Sequence, residues 1–280
     1  LGEEVKFVYS YCCLCCLVYR KPGMSSVAHL TYIGHATLLI EMDGVRLLTD
    51  PILVRQISGF LRRHQALPTM TVDKVDAVLI SHLHGDHFHV PSLRMVGHNT
   101  LVIAPRGTAR LLHRHGFRHV VEVGVGDKTT VGQVTIEATY ADHAGRRAPF
   151  GPDAHCLGYV VSGSQRIYFA GDTDIFSGME ALGDQLDVAL LPVWGWGPTL
   201  GAGHMTPARA AEALTLLQPS LAIPIHWGTL HPWGMGWWQP NFLSMPPYLF
   251  ATHARTMAPD VHIQIVKPGH TFAHSPGQGV

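Results

Sequence analysis

The stretch Ser81-His82-Leu83-His84-Gly85-Asp86-His87 decides how this chain is read. It follows an apolar run over residues 75–80 that reads as a buried strand stopping abruptly at Ser81. Three imidazoles and a carboxylate within six residues cannot be stored in a core without large desolvation costs, so the cluster calls for a cation. If the segment stays extended, His82 and His84 point the same way, while Asp86 and His87 fall on the turn beyond. A tight loop of this kind can serve two adjacent ions, the first two histidines on one and the Asp-His pair on the other. Imidazole and carboxylate without thiolate suit Zn2+ best, with Mn2+, Fe2+ or Co2+ as alternatives.

Outward from that loop, short apolar runs alternate with turns. Before it, residues 30–32, 36–40 and 45–48 read as strands, and Asp43-Gly44 is a strong hairpin signal. After it, residues 101–104, 120–123, 128–131, 134–139, 157–162, 167–170, 188–191, 222–225 and 261–266 read as strands. Residues 90–96, 108–115, 206–217 and 245–257 read as helices; the third is the clearest, with Pro207 in its first turn and Pro219 just past its end. No period of about 20–50 residues recurs. Strand runs with helices inserted between them predict an α+β fold of two sheets with helices outside, not a regular βαβ alternation.

Composition narrows the function. Lys plus Arg number 20 and Asp plus Glu number 20, so the charges cancel, while histidine alone reaches another 20. A zero balance without a basic block argues against a nucleic-acid partner and against an acidic disordered chain. With 46% apolar residues over 280 positions, a single domain over residues 24–280 is expected. Residues 1–23 stand apart. They carry Cys12, Cys13, Cys15 and Cys16, and the apolar run from Phe7 to Tyr19 is shorter than the roughly 20 residues of a membrane span. This segment reads as an upstream extension with Met24 as the working start, as a peripheral, acylated anchor, or as an ordinary buried strand. Cys156 is then the only cysteine of the body, which predicts a reducing, cytoplasmic setting, with peripheral membrane contact if the anchor reading holds.

The H-x-H-x-D-H signature after a strand resembles the metallo-β-lactamase superfamily, and the resemblance extends over about residues 28–270. It is most similar to the branch holding N-acylphosphatidylethanolamine-hydrolysing phospholipase D and L-ascorbate-6-phosphate lactonase. The segments that carry it are Ile33-Gly34-His35-Ala36-Thr37, Leu48-Thr49-Asp50-Pro51, Ala170-Gly171-Asp172-Thr173, Gly203-His204-Met205-Thr206-Pro207 and Ile225-His226-Trp227-Gly228-Thr229. The resemblance implies a four-layer αβ/βα sandwich with a binuclear zinc centre. His82, His84 and His143 would hold one ion, Asp86, His87 and His226 the other, and Asp172 would bridge them. Asp142 and His155 rival His143 from the sequence; a turn-capping role for Asp172 and a core role for His226 are the ordinary alternatives. The resemblance also implies that Asp50 fixes a ligand imidazole from outside, although a plain turn before Pro51 explains it almost as well. His35 either lies beneath the ions or is a buried, satisfied histidine.

Such a centre would hydrolyse a bond by activating water. Asp86 could also orient the nucleophile or pass a proton to the leaving group, and His204, at the opening of the helix over 206–217, could contact the scissile group or serve only as a cap. An aromatic stretch over residues 230–250, with Trp233, Trp237 and Trp238, is a substrate wall, ordinary core or an oligomer contact, and Trp194 and Trp196 could form the opposite wall. The reading is a metal-dependent hydrolase acting on a small-molecule or lipid-like substrate, with a phosphodiester first. A lactone (including acyl-homoserine lactones), an ester or a β-lactam is the alternative bond. A redox di-iron or non-catalytic relative is the reading of another class; His84, where redox members of the superfamily usually carry Glu, and the complete ligand set speak against it.

Overall fold

Strand β2 (Thr37–Met42) explains the layering: Leu38 and Ile40 face one hydrophobic cluster and Leu39 faces another, so the period-two alternation of a strand buries both sides of its sheet. The computed structural model describes residues 27–64, 67, 72, 74–144, 154–235 and 241–275. Residues 1–23, with their four cysteines, and Trp237 and Trp238 lie outside the described residues.

The first sheet runs β17 (His270–His274), β1 (Ala28–Gly34), β2, β3 (Val45–Thr49), β6 (Ala77–Leu79), β7 (Leu101–Pro105) and β8 (Val120–Val123). Its first three pairings are antiparallel and its last three parallel. The second sheet repeats the plan over β9 (Lys128–Val131), β10 (Val134–Tyr140), β11 (Leu157–Ser162), β12 (Arg166–Phe169), β13 (Val188–Pro192), β14 (Leu221–Ile225) and β16 (His262–Ile263). There too, three antiparallel pairings are followed by three parallel ones. The inner faces meet in the main core, around Leu30, Tyr32, Tyr159 and Phe169. Helices α1 (Val90–Val96) and α2 (Ala109–Arg114) cover the outer face of the first sheet through Leu93 and Leu112. Helices α3 (Pro207–Leu217) and α5 (Pro246–Met257) cover the second, and α4 (Asn241–Ser244) precedes α5. The result is a four-layer αβ/βα sandwich.

Local chemistry sets the boundaries. Asp43 and Gly44 both have positive φ (54° and 77°), the primed turn that an Asp-Gly pair favours. Helix α3 is capped by Thr206, whose Oγ1 accepts from Arg209 N–H at 3.2 Å, starts with Pro207 and ends at Gln218 in the left-handed region. His204 therefore stands two residues outside the helix, and the capping alternative for it falls away. The strand expected over 261–266 is only His262–Ile263: Gln264 N–H still bonds the Ala222 carbonyl, but Pro224 of β14 has no N–H to offer and its carbonyl accepts the Trp227 indole N–H, so the ladder stops there. A small third sheet of β15 (Leu230–Pro232), β5 (Leu61–Arg63) and β4 (Gln56–Ile57) was not legible in sequence, nor was edge strand β17. Among the described residues, no helix is long and apolar enough to cross a membrane.

Candidate metal centre

The chemistry-bearing residues leave the C-terminal ends of strands that point the same way. In the first sheet His35 follows β1, Asp50 follows β3, and Ser81 to His87 follow β6; in the second, His143 follows β10, Asp172 follows β12 and His226 follows β14. His35, Asp50 and His226 are non-glycine residues at φ 58°, 32° and 62°. Such conformations cost on the order of 1–3 kcal/mol each, and the side chains placed by them all turn into one cluster.

Hydrogen bonds fix which nitrogen each imidazole presents. His87 Nδ1 donates to Asp50 Oδ2 (2.8 Å), His226 Nδ1 to the Trp194 carbonyl (2.7 Å) and His143 Nδ1 to the Gly203 carbonyl (2.9 Å). Ser81 Oγ donates to Asp50 Oδ2 (2.5 Å) and so accepts from His82 Nδ1 (2.9 Å). Each of these four rings therefore spends its Nδ1 outward and turns Nε2 inward.

Inside, the ring nitrogens converge. His84 Nδ1 lies 3.0 Å from both His82 Nε2 and His143 Nε2, and His87 Nε2 lies 3.0 Å from His226 Nε2. Asp172 sits between the two groups: Oδ2 is 3.1 Å from His87 Nε2, 3.9 Å from His82 Nε2 and 4.0 Å from His143 Nε2, and Oδ1 is 3.1 Å from His226 Nε2. Asp86 Oδ2 completes the second group at 3.7 Å from His87 Nε2 and 4.0 Å from His226 Nε2. Ligand nitrogens around a tetrahedral zinc with Zn–N near 2.0–2.1 Å would be about 3.3 Å apart. Ring nitrogens this close need a cation between them, a proton or a metal ion. Asp172 Oδ1, buried and without a hydrogen bond although His226 Nε2 is close, shows the same need, because the His226 proton is committed to the Trp194 carbonyl. These side chains fit divalent ions on either side of Asp172.

Electrostatics follow burial and charge. Burial holds the imidazoles of His82 and His226 well below their ordinary range, and that of His143 below it, keeping their lone pairs free. Burial also opposes charge on His87, but the Asp172 and Asp86 carboxylates outweigh it and raise this group. For Asp172 itself burial works upward, yet His226 and His87 keep the carboxyl well below the usual range.

The structure brings all seven of the expected ligand residues together. The rivals of His143 do not join them: Asp142 and His155 are exposed. His204 stands at the open side, its side chain 22% exposed, with Nε2 3.3 Å from Asp172 Oδ2. Trp194 contributes its carbonyl to His226, while its indole N–H donates to the Gly197 carbonyl (2.9 Å). Trp233 is 64% exposed on the small third sheet, with the Arg62 guanidinium 5.6 Å from its ring centroid. Sequence reasoning missed Ser81, which links Asp50 to His82; its place directly before the first histidine was the available signal. It also missed that Cys156 is buried with its sulfur near His82 and His143.

The beta-lactamase superfamily domain matches residues 45–227. A UPF0173 metal-dependent hydrolase of Opitutus terrae is 32% identical over 252 residues, covering 87% of this chain and 98% of the relative. One from Methanopyrus kandleri is 29% identical over 256 residues, again covering 87% of this chain and 98% of the relative. Among solved structures, a metallo hydrolase from the archaeon Ignicoccus hospitalis superposes with a TM-score of 0.66 at 23% identity, over 89% of this chain and 99% of that one, a likeness of fold. The match over residues 45–227 spans the Ser81 to His87 loop and ends just past His226, and with these relatives it establishes that the chain belongs to the UPF0173 metal-dependent hydrolases of the β-lactamase superfamily.

Proposed function

We propose that this metal-dependent hydrolase works with two zinc ions, held by His82, His84 and His143 on one side and by Asp86, His87 and His226 on the other, with Asp172 bridging. The observation that carries this reading is the set of inward ring nitrogens 3.0 Å apart on both sides of one buried carboxylate. The donor set, imidazole and carboxylate, favours zinc. A pair of divalent ions held there supplies a nucleophile at neutral pH and offsets the negative charge that develops on the attacked group. The chain's own residues do the rest. Asp50 keeps His87 in the tautomer that presents Nε2, Asp86 orients the attacking group, and His204 offers an N–H to the scissile oxygen from the open side.

The substrate we favour is a phosphodiester. Residues 188–211 and 213–259, which supply His204, His226, Trp194 and Trp233, contain no Asp or Glu, so no carboxylate from them repels an anionic group. Trp194 and Trp233 would line the path of an apolar or aryl leaving group. Metal analysis of the purified chain, with a parallel screen of bis-(4-nitrophenyl) phosphate, acyl-homoserine lactones, simple esters and β-lactams, tests both parts. Two zinc equivalents and turnover of the phosphodiester are expected. Turnover of lactones or esters alone moves the substrate to that class, and hydrolysis of none of them before or after zinc loading sinks the reading.

A further inference from the structure

His35 takes no part in the proposed hydrolysis, yet it lies beneath the cluster and touches two of the groups proposed to hold the second ion. Its Nε2 lies 2.9 Å from Asp86 Oδ2, and its ring packs against that of His226 with centroids 3.8 Å apart and planes tilted by 37°. Its carbonyl accepts the His226 N–H at 2.8 Å, and its own N–H donates to Thr229 Oγ1 at 2.7 Å. His35, Asp86, His87 and His226 offer ligand atoms within 4.8 Å of one another, all four residues buried. A histidine kept only to fill the core would be satisfied; Nδ1 of this one is buried without a partner.

Topology adds an independent argument. Counted from the antiparallel edge, β1 is the second strand of its sheet as β10 is of the other, so His35 stands where the second sheet places His143. Glycine precedes it for a reason: a Cβ at Gly34 would lie 2.7 Å from Thr229 Oγ1, the atom that anchors His35.

Resting on the two-ion reading, we propose that His35 is a positioning residue for the second ion, donating from Nε2 to Asp86 and bracing His226 through its ring face and carbonyl. The ion held by His82, His84 and His143 has no contact with it and should be indifferent to its loss.

The test replaces His35 in the full chain. Asn tolerates the left-handed backbone but is too short to reach Asp86, whereas Gln carries a donor at Nε2. Zinc content after dialysis against a graded chelator, and the absorption spectrum of the cobalt-loaded chain, are read beside thermal melts. In H35N one equivalent should bind about 10–100-fold more weakly, with the other unchanged, and H35Q should recover part of the loss. Binding of both equivalents by H35N as tightly as by wild type overturns the proposal, as does equal weakening of both. If H35N does not fold, Thr229→Val, which frees the His35 backbone, carries the same expectation at smaller size, and unchanged binding there overturns it. A wild-type chain with a single equivalent overturns the two-ion reading instead; His35 then stands only if H35N weakens that one ion.

Discussion

The two sheets share one plan of strands but not one way of contributing. The first sheet concentrates its chemistry in a single loop, Ser81 to His87 after β6, and supports it from beneath with Asp50 after β3. The second sheet spreads its chemistry, with one side chain after each of β10, β12 and β14; the loop after β13, which matches the place of the Ser81 to His87 loop, gives the Trp194 and Gly203 carbonyls and the side chain of His204 but none of the expected ligands. Asp50 and Asp172 follow strands at matching places, β3 and β12. The first is sealed behind His87 and Ser81, while the second faces the cluster's centre. The first sheet therefore supplies local density, and the second supplies reach, because its three residues meet only once its strands are paired.

The most severe way to break this division is Asp172→Asn, which keeps shape and removes the charge shared by both sides of the cluster. Turnover should fall by more than about 100-fold, since even partners outside the ligand set cost 10–100-fold, and both ions should bind more weakly. A variant that retains both equivalents and its activity would remove Asp172 from the centre. His226→Ala should come next, abolishing activity while losing one ion and leaving the other, because His226 Nε2 faces His87, Asp86 and one oxygen of the shared Asp172. Unchanged turnover would show that this side is misassigned.

Asp50→Asn asks whether the buried carboxylate of the first sheet works at one remove. It accepts Ser81 N–H at 2.7 Å, Ser81 Oγ–H at 2.5 Å and His87 Nδ1–H at 2.8 Å, so it touches His87 directly and reaches His82, on the other side of the cluster, through Ser81. Titration of the variant with zinc should show affinity lowered about 10–100-fold with stoichiometry preserved. Loss of a whole equivalent would instead make Asp50 a ligand.

The same contrast explains what was legible in the sequence. The Ser81 to His87 loop could be read directly because its residues are neighbours in the chain, and the amphipathic period of α3 and the Asp43-Gly44 turn identified their elements for the same reason. His143, Asp172 and His226 needed the resemblance, since nothing within a few residues of each reveals that the strands before them are aligned. Edge strand β17, His270-Thr271-Phe272-Ala273-His274, was illegible because it alternates weakly and is mostly exposed, and only its pairing with β1 makes it a strand. Strands β4 and β5, two and three residues long, are too short to show any period. The tautomers were out of reach too: they depend on carbonyls of Trp194 and Gly203, which the identity of a residue does not predict.

The smallest expected effect lies outside both sheets, at Trp233. Its ring is largely in water and packs under Arg62, so Trp233→Ala should change stability by no more than about 0.5 kcal/mol and leave metal content untouched. If the indole lines the path of the leaving group, the KM for an aryl phosphodiester should rise about 2- to 12-fold, the worth of roughly 0.5–1.5 kcal/mol of aromatic contact, with kcat preserved. A matched alkyl phosphodiester should show a smaller rise, since it cannot stack. Equal KM values in variant and wild type for both substrates would place Trp233 off the substrate path. The third sheet would then be a structural brace for the loop that follows His226, and specificity would have to come from the open side, where His204 stands.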